Sequence, residues 1–292
     1  MIRLALAAAL TIIPQAAAPP TQRQVWNRPA APFTVAGNIH YVGTEGLSAF
    51  LVTTPAGHVL IDGGSEESAA LIAANVATHG YRMADVRTIL INHAHWDHAG
   101  GLARLKAMAP RATLISSAGD RATLERGRSI DRDDLDAFEP VRVDRTVRDG
   151  ETVVLGGVRL VARLTPGHTP GCISWTTTTR DPRIAGGRPL SVIFACSLTP
   201  AGLKLIDNPR YPEAVANFRA TFARLATTKA DVFLTFHPEF FAMADKRRRQ
   251  RAGDAAAFVD PGELPRRLAT ARAGFEAELV RQSTEAGGRT EE

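Results

Sequence analysis

Short apolar runs separated by glycine and proline turns restrict the fold of this chain more than any other feature. Between residues 33 and 61, four such runs follow one another, with turn residues at Gly37, Gly43 and Gly57. Runs of this length, rich in β-branched residues and bounded by turn residues, predict strands. The predicted strands are residues 33–35, 39–42, 49–53, 58–61, 86–91, 112–115, 141–143, 152–155, 158–164, 173–179, 190–195 and 232–234.

Helical patterns follow the groups of strands. Apolar residues at helical spacing predict helices over residues 65–80, 101–108, 211–226 and 263–281. Groups of strands that are each followed by helices predict an α/β fold in which two mixed sheets pack together with helices outside. A chain of 292 residues can form two domains or one large two-layer domain; we expect a single domain over residues 19–292.

The first eighteen residues resemble an export signal. Arg3 supplies a positive charge, residues 4–13 are apolar, and residues 16–18 are three alanines. This arrangement is typical of a secretory signal peptide, and its apolar stretch is too short to span a bilayer. We therefore expect a periplasmic protein that is not held in the membrane and is cut near residue 18.

The net charge of +5 carries little functional information. Nucleic-acid binding favours basic residues clustered on one face with aromatic residues among them, whereas the arginines of this chain are scattered. The one dense run, residues 246–251, is interpreted as a solvated surface segment, with contact to an anionic partner as the alternative. We expect no nucleic-acid partner.

Three of the eight histidines fall within six residues. His93 and His95 are two apart, so both lie on one side of an extended segment directly after the predicted strand that ends at Ile91. Asp97 and His98 follow at the turn into the next helix. Burying these four side chains without a metal ion would be costly in desolvation, and four donors exceed the three protein ligands of one open catalytic zinc.

Two further histidines follow predicted strands in rigid loops. His168 lies in a Thr-Pro-Gly-His-Thr-Pro-Gly segment, and His237 precedes Pro238. Loops at strand ends present functional side chains on a rigid scaffold, so five histidines and Asp97 could give two metal ions three ligands each. The remaining histidines, at positions 40, 58 and 79, are interpreted as structural residues without partners.

These motifs resemble the metallo-β-lactamase superfamily. The hallmark His-x-His-x-Asp-His is complete at residues 93–98, and Asp62-Gly63-Gly64 is similar to the earlier turn motif, where Asp62 would orient the metal loops. Residues 26–33, 36–43, 165–171 and 259–261 are similar to the B3 subclass of zinc β-lactamases. The resemblance covers nearly the whole chain after residue 18 and implies the four-layer αβ/βα sandwich.

The resemblance also implies the ligands and the reaction. His93, His95 and His168 would hold the first zinc ion, and Asp97, His98 and His237 the second. The implied reaction is hydrolysis of the β-lactam bond of penicillins, cephalosporins and carbapenems by a zinc-bound hydroxide, with Asp97 as the catalytic residue that orients it. Such an enzyme would confer antibiotic resistance and act, we expect, as a monomer.

Other hydrolases of the superfamily, lactonases and thioesterases, are the alternative. These enzymes resemble one another in having a metal-bridging aspartate on the strand after the third ligand histidine. The matching stretch of this chain, residues 192–198, contains no carboxylate. In the B3 subclass a serine near this position contacts the substrate carboxylate, which implies that role for Ser197 and Thr199. A zinc-binding protein without catalytic activity is the weakest interpretation.

The two cysteines allow three interpretations. Cys196 could be a zinc ligand, as in the B1 subclass, but His98 already completes the second ligand set. An exported protein could also join Cys172 and Cys196 in a disulfide, although bridges between adjacent strands often have poor geometry. We expect two small buried thiols.

Overall fold

The computed structural model describes residues 19–288, which contain twelve strands and eight α-helices. The strands are β1 (Phe33–Ala36), β2 (Ile39–Tyr41), β3 (Phe50–Thr54), β4 (Gly57–Ile61), β5 (Val86–Leu90), β6 (Thr113–Ser117), β7 (Arg145–Val147), β8 (Thr152–Leu155), β9 (Val158–Leu164), β10 (Ile173–Thr179), β11 (Leu190–Ala195) and β12 (Val232–Thr235). The helices are α1 (Gln22–Trp26), α2 (Ser68–Thr78), α3 (Trp96–Ala99), α4 (Leu102–Met108), α5 (Ala118–Arg126), α6 (Ala214–Ala226), α7 (Met243–Arg251) and α8 (Glu263–Gly288).

The strands form two mixed sheets, as predicted. The first sheet has the order β1-β2-β3-β4-β5-β6-β7 and changes from antiparallel to parallel pairing at β4. The second sheet has the order β12-β11-β10-β9-β8, in which only β11 and β12 are parallel. The glycine-rich hairpin expected before residue 190 pairs β10 with β11, with Trp175 opposite Phe194.

The main hydrophobic core lies between the two sheets. Val52 and Ile61 of the first sheet pack in one cluster with Trp175 and Ile193 of the second. A separate cluster covers the other face of the first sheet, where α2 and α4 contribute apolar residues such as Ile72 and Leu105. Helices on the outer faces of two stacked sheets give the α/β sandwich that the order of the predicted elements indicated.

Hydrogen bonds join the sheets at the end of β5. The amide of Ile173 donates to the Asn92 carbonyl at 2.8 Å, and the Trp175 indole donates to the Ile91 carbonyl at 3.3 Å. The side-chain amide of Asn92 donates to the Phe194 carbonyl at 3.1 Å. The residue before His93 is therefore fixed to two strands of the opposite sheet.

The predicted strand at residues 141–143 is wrong. Val141 and Val143 are buried in the outer cluster, but the strand that pairs with β6 is β7, from Arg145 to Val147. The amide of Val141 donates to Leu124 in α5, which holds this segment against a helix and outside the sheet. The apolar pattern at residues 141–143 arises because Val141 and Val143 are buried, although the segment does not belong to a sheet.

The basic run at residues 246–251 is part of α7, and its interpretation as a solvated segment is only partly correct. Arg248 is exposed, but Lys246 is 6% exposed and pairs with the equally buried Glu263. The Arg247 guanidinium packs 3.9 Å from the centroid of the Phe33 ring. These contacts attach α7 to α8 and β1.

The three histidines interpreted as isolated lie in one cluster. The ring centroids of His40 and His79 are 4.6 Å apart, and Tyr81 lies 4.6 Å from His58 and 5.8 Å from His40. Burial, followed by the charges of His79 and His58, lowers the pKa of His40 to about 4. The expectation that these residues have no partners is therefore wrong.

Within residues 19–288, none of the helices combines the length and the apolar character that a membrane span requires. The predicted signal peptide, residues 1–18, lies outside the described residues.

Candidate metal centre

The six predicted ligands come from the ends of strands in both sheets. His93 and His95 follow β5, and Asp97 and His98 belong to the short helix α3. His168 lies in the loop after β9 and His237 directly after β12. All six residues are buried.

The structure brings these residues together in two groups of three. The ligand atoms of His93, His95 and His168 lie within 4.8 Å of one another, as do those of Asp97, His98 and His237. The two groups coincide with the two predicted ligand sets. A third combination of His93 with the two cysteines has the same spacing.

The cysteines are not available as ligands, because Cys172 and Cys196 form a disulfide with Cα atoms 5.9 Å apart. The expectation of two free thiols is wrong. Cys172 comes just before β10 and Cys196 just after β11, where the chains approach each other beyond the paired residues. The bridge closes a 24-residue separation next to the metal loops.

Backbone carbonyls fix the rings of the two histidines from the second sheet. Nδ1 of His168 lies 2.7 Å from the Thr199 carbonyl, and Nδ1 of His237 lies 2.6 Å from the Gly46 carbonyl. Since a carbonyl can only accept, each Nδ1 carries a hydrogen, and Nε2 is the ring nitrogen left to face a metal ion. Such contacts orient ligand histidines in metalloproteins.

Burial keeps the imidazoles of the first group neutral. Burial, followed by the charges of neighbouring histidines, holds the pKa of His93 and His95 well below its usual value. Burial also lowers the pKa of His168 to about 4. Neutral imidazoles have a free lone pair, which is the form that binds metal ions.

Asp97 keeps its charge, whereas the imidazoles of the first group stay neutral. Burial alone would raise its pKa, but the electrostatic interaction with His98, followed by the close contact with His237, holds the pKa of this carboxyl well below its usual value. Its Oδ2 lies 3.1 Å from Nε2 of His98 and 3.3 Å from Nε2 of His237. The second group therefore presents one carboxylate between two imidazoles.

The buried donors fit a metal ion. His93, His95 and His98 each have at least one buried ring nitrogen without a hydrogen-bond partner. Leaving such atoms unpaired in the interior costs free energy. Imidazole and carboxylate donors in two sets of three are the donor types of catalytic zinc sites, which use three protein ligands each.

Two buried aspartates support the ligand loops. The Asn92 amide donates to Asp62 at 2.8 Å, and Asp62 has a φ of 64° in its Asp-Gly-Gly turn. Asp120, which the sequence analysis missed, accepts from the Ala94 and Gly171 amides, both at 2.9 Å, and from the Thr169 hydroxyl at 3.0 Å. Burial raises the pKa of Asp120 to about 7 although the three donors oppose the rise. Asp120 thus ties the His93–His95 segment to the His168 loop.

The ligands open into a cleft of about 280 Å³. Trp26 of α1 forms one wall, with its ring centroid 4.7 Å from that of His237. Ser197 and Thr199 both line this cleft, and their hydroxyl oxygens are 3.4 Å apart. The structure therefore places both predicted substrate-binding residues beside the ligand groups, together with Arg132, which the sequence analysis did not select.

A family model described as the metallo-β-lactamase superfamily matches residues 42–181. Solved structures are similar over most of the chain. A metallo-β-lactamase of Cronobacter sakazakii described by a HARLDQ motif is 43% identical, with a TM-score of 0.84, over 90% of this chain and 99% of that protein. The chain belongs to the metallo-β-lactamase superfamily.

Within the superfamily, the chain is also similar to BJP-1, a subclass B3 metallo-β-lactamase of Bradyrhizobium japonicum. The two are 37% identical, with a TM-score of 0.86, over 91% of this chain and 100% of BJP-1. This confirms the predicted B3 resemblance and the predicted fold. At residues 93–98 this chain has His-Ala-His-Trp-Asp-His, in contrast to the HARLDQ motif of the Cronobacter protein.

Matches among curated proteins are shorter. A probable metallo-hydrolase of Burkholderia pseudomallei is 32% identical over 111 residues, which are 38% of this chain and 37% of that protein. The chain spans 37% to 44% of the length of the first three curated relatives.

Proposed function

We propose that this protein is a subclass B3 metallo-β-lactamase that hydrolyses the β-lactam bond of penicillins, cephalosporins and carbapenems. The observation that carries the proposal is the pair of buried donor groups, each with its ligand atoms within 4.8 Å of one another. The likeness to BJP-1, described as a subclass B3 metallo-β-lactamase, over 91% of the chain supports the substrate class.

The proposal assigns one Zn²⁺ to each group. His93, His95 and His168 would hold the first ion, and Asp97, His98 and His237 the second. When bound, the ions would polarise the lactam carbonyl and lower the pKa of water enough to supply hydroxide near neutral pH.

The chain's own residues would orient the reactants. Asp97 is held ionised between two imidazoles and can accept a hydrogen bond from the attacking water. The hydroxyls of Ser197 and Thr199, on the wall of the same cleft, would donate to the substrate carboxylate. The nucleophile is therefore water, and no side chain needs to form a covalent intermediate.

The cellular part of the proposal rests on the N-terminal sequence. Residues 1–18 would direct export to the periplasm, and residues 19–292 would form one monomeric domain. β-Lactam hydrolysis there would confer antibiotic resistance.

The test is hydrolysis of a penicillin, a cephalosporin and a carbapenem by purified protein of measured zinc content. We expect zinc-dependent cleavage that EDTA abolishes and added zinc restores. His168→Ala should lower bound zinc and turnover, whereas His79→Ala, which changes a histidine outside the cleft, should retain both. Protein that holds two zinc ions and cleaves none of the three β-lactams would refute the proposal, and lactones and thioesters would then be the substrates to examine.

A further inference from the structure

A second cavity lies next to the metal cleft, between α8 and the segment that follows β11. Its volume is about 470 Å³, compared with about 280 Å³ for the cleft. The deep wall of this cavity is apolar, with Phe233 of β12 and Phe275 of α8 both buried there. Phe236 and Phe240 line both cavities and form their shared wall. The second cavity contains none of the six metal-ligand residues, so the proposed reaction leaves it without a role.

Helix α8 gives this cavity its elongated shape. The helix lines it with Arg267, Ala271, Gly274 and Glu278, whose spacing of three and four positions places them on one face of the helix. From the first to the last of these residues the helix rises about 16 Å. A Cβ atom at Gly274 would meet no atom within 4 Å outside the backbone of the helix itself. The cavity, called here the α8 groove, is therefore open along its middle and favours a long, unbranched ligand.

The positive charge at the Arg267 end of the groove is only partly neutralised. Nη2 of Arg267 lies 3.5 Å from Oε1 of Glu263, which is longer than a normal hydrogen bond. The other oxygen of Glu263 accepts from the buried Lys246, so two cations share one carboxylate, while the nearby Asp260 pairs with Arg266. A guanidinium has five N–H donors, and the other four of Arg267 have no acceptor within residues 19–288. Its side chain is 38% exposed, so an anion in the groove can reach these donors.

The opposite end of the groove has no such unused charge. The Glu278 carboxylate accepts hydrogen bonds from Arg281 at 2.5 Å and from Gln282 at 2.7 Å. These donors neutralise the Glu278 carboxylate and leave the space between the two ends lined mainly by apolar and small residues. The groove therefore matches a ligand with one anionic end, which would lie at Arg267, and an apolar chain.

We propose that the α8 groove binds a medium-chain fatty acid, with the carboxylate at Arg267 and the alkyl chain along Ala271 and Gly274. A guanidinium can donate two parallel hydrogen bonds to a carboxylate, which fixes the head group. Burial of the chain against Phe233 and Phe275 supplies the apolar part of the affinity. The proposal is independent of β-lactam hydrolysis, because it concerns a different ligand and a different cavity.

Isothermal titration calorimetry of the zinc-loaded protein with decanoate tests the proposal. We expect one decanoate to bind per chain, and octanoate, which has two fewer methylene groups, to bind with a Kd roughly 15-fold higher. Decanol has the same chain without the charge and should bind more weakly than decanoate. Arg267→Gln should raise Kd for decanoate about 10-fold, the lower end of the range for loss of a charged hydrogen bond, and should change Kd for decanol less than about 2-fold.

A second variant blocks the groove itself. Gly274→Leu would place a side chain in the open middle of the groove, and it should fold because leucine favours a helix interior more than glycine does. Kd for both decanoate and decanol should then rise more than about 10-fold. Ala269→Leu and Arg272→Gln are the matched controls, since both residues are exposed on α8 and neither lines the groove; their Kd values should equal those of the wild-type protein.

Four results would overturn the proposal. The first is wild-type protein that binds no decanoate. The second is a decanoate affinity that Gly274→Leu leaves unchanged, which would place the fatty acid elsewhere, such as at metal ions in the cleft. The third is an equal loss of decanoate and decanol affinity in Arg267→Gln, which would remove the carboxylate from this end. The fourth is a dimer in sedimentation velocity that Gly274→Leu dissociates and decanoate does not, which would show that a second copy of the chain fills the groove.

Discussion

Asp120 provides the sharpest test of how the metal loops are held. Its carboxylate accepts hydrogen bonds from the amide of Ala94, which lies between two ligands, and from Gly171 and Thr169 in the loop of His168. Asp120 is 1% exposed, so its hydrogen-bond donors are shielded from bulk water. Asp120→Ala would leave two buried amides and a hydroxyl without their partner.

The expected cost follows from those contacts. A buried donor left unpaired costs about 1–3 kcal/mol, and the hydroxyl can rotate toward another acceptor, so we expect a loss of about 4 kcal/mol. In a chain of this size 1 kcal/mol corresponds to about 2–4 °C in Tm, which predicts a decrease on the order of 10 °C. Because Asp120 joins the two segments that form the first ligand group, zinc affinity at that group should fall roughly 10- to 100-fold, the range for loss of a contact that orients a ligand.

Thermal unfolding and zinc competition with a chromophoric chelator would measure both effects. Asp133→Ala removes an exposed carboxylate from a nearby loop and should change Tm by less than about 2 °C. The second ligand group contains no residue of the His168 loop, so its affinity should fall less than that of the first. An unchanged Tm, or equal losses at both zinc sites, would show that Asp120 does not hold the two segments together.

Two further predictions concern the framework. Replacing both Cys172 and Cys196 by Ala should lower the free energy of unfolding by about 3–4 kcal/mol, the chain-entropy value for a loop of roughly 25 residues. Urea unfolding of the oxidised wild type and of the double variant would measure this difference. Equal unfolding midpoints would contradict the prediction. Burial lowers the pKa of His40 to about 4. Between pH 6.5 and pH 4 the unfolded chain therefore binds a proton that the native chain does not. The free energy of unfolding should fall as the pH falls through this range. The contribution of His40 is about 3 kcal/mol at most, because one pKa unit corresponds to 1.36 kcal/mol; His40→Gln should therefore lose less stability than wild type between pH 7 and pH 4 in urea unfolding, and parallel losses would refute the assignment.

The sequence located the six candidate ligands because each adjoins a strong local signal, whereas their division into two sets came from the family resemblance. The predicted strand that ends at Ile91 and the Pro-Gly loop around His168 both place histidines at strand ends, and strand ends in such folds converge on one edge. Within each group of three, the structure brings the donor atoms within 4.8 Å of one another. The local sequence pattern was sufficient to locate these residues because it identifies where each strand ends, and the candidate ligands lie at those ends.

The supporting contacts could not be predicted in the same way. Asp120 binds the Ala94 amide 26 positions away, and Arg132 binds the Ala201 carbonyl 69 positions away as well as the nearby Asp134. A single charged residue in a polar segment has no pattern that would reveal such distant partners. Helix α5 has no clear apolar stripe that would predict it. In α7 the run of arginines gives no apolar pattern either, although this helix contributes the buried Lys246–Glu263 pair. The disulfide depends on how the ends of β10 and β11 approach, which cannot be deduced from the spacing of the cysteines.

Each ligand group takes residues from both sheets. In the first group His93 and His95 follow β5 of the first sheet and His168 follows β9 of the second; in the second group α3 provides two ligands and His237 follows β12. A metal ion in either group would therefore link the sheets. The sheets are already joined beside this edge by the hydrogen bonds of Asn92 and by those of Asp120, none of which involves a ligand side chain. Since the scaffold itself aligns the donors, we infer that metal binding spends little of its free energy on ordering the chain, in contrast to small zinc domains that fold only when the metal binds.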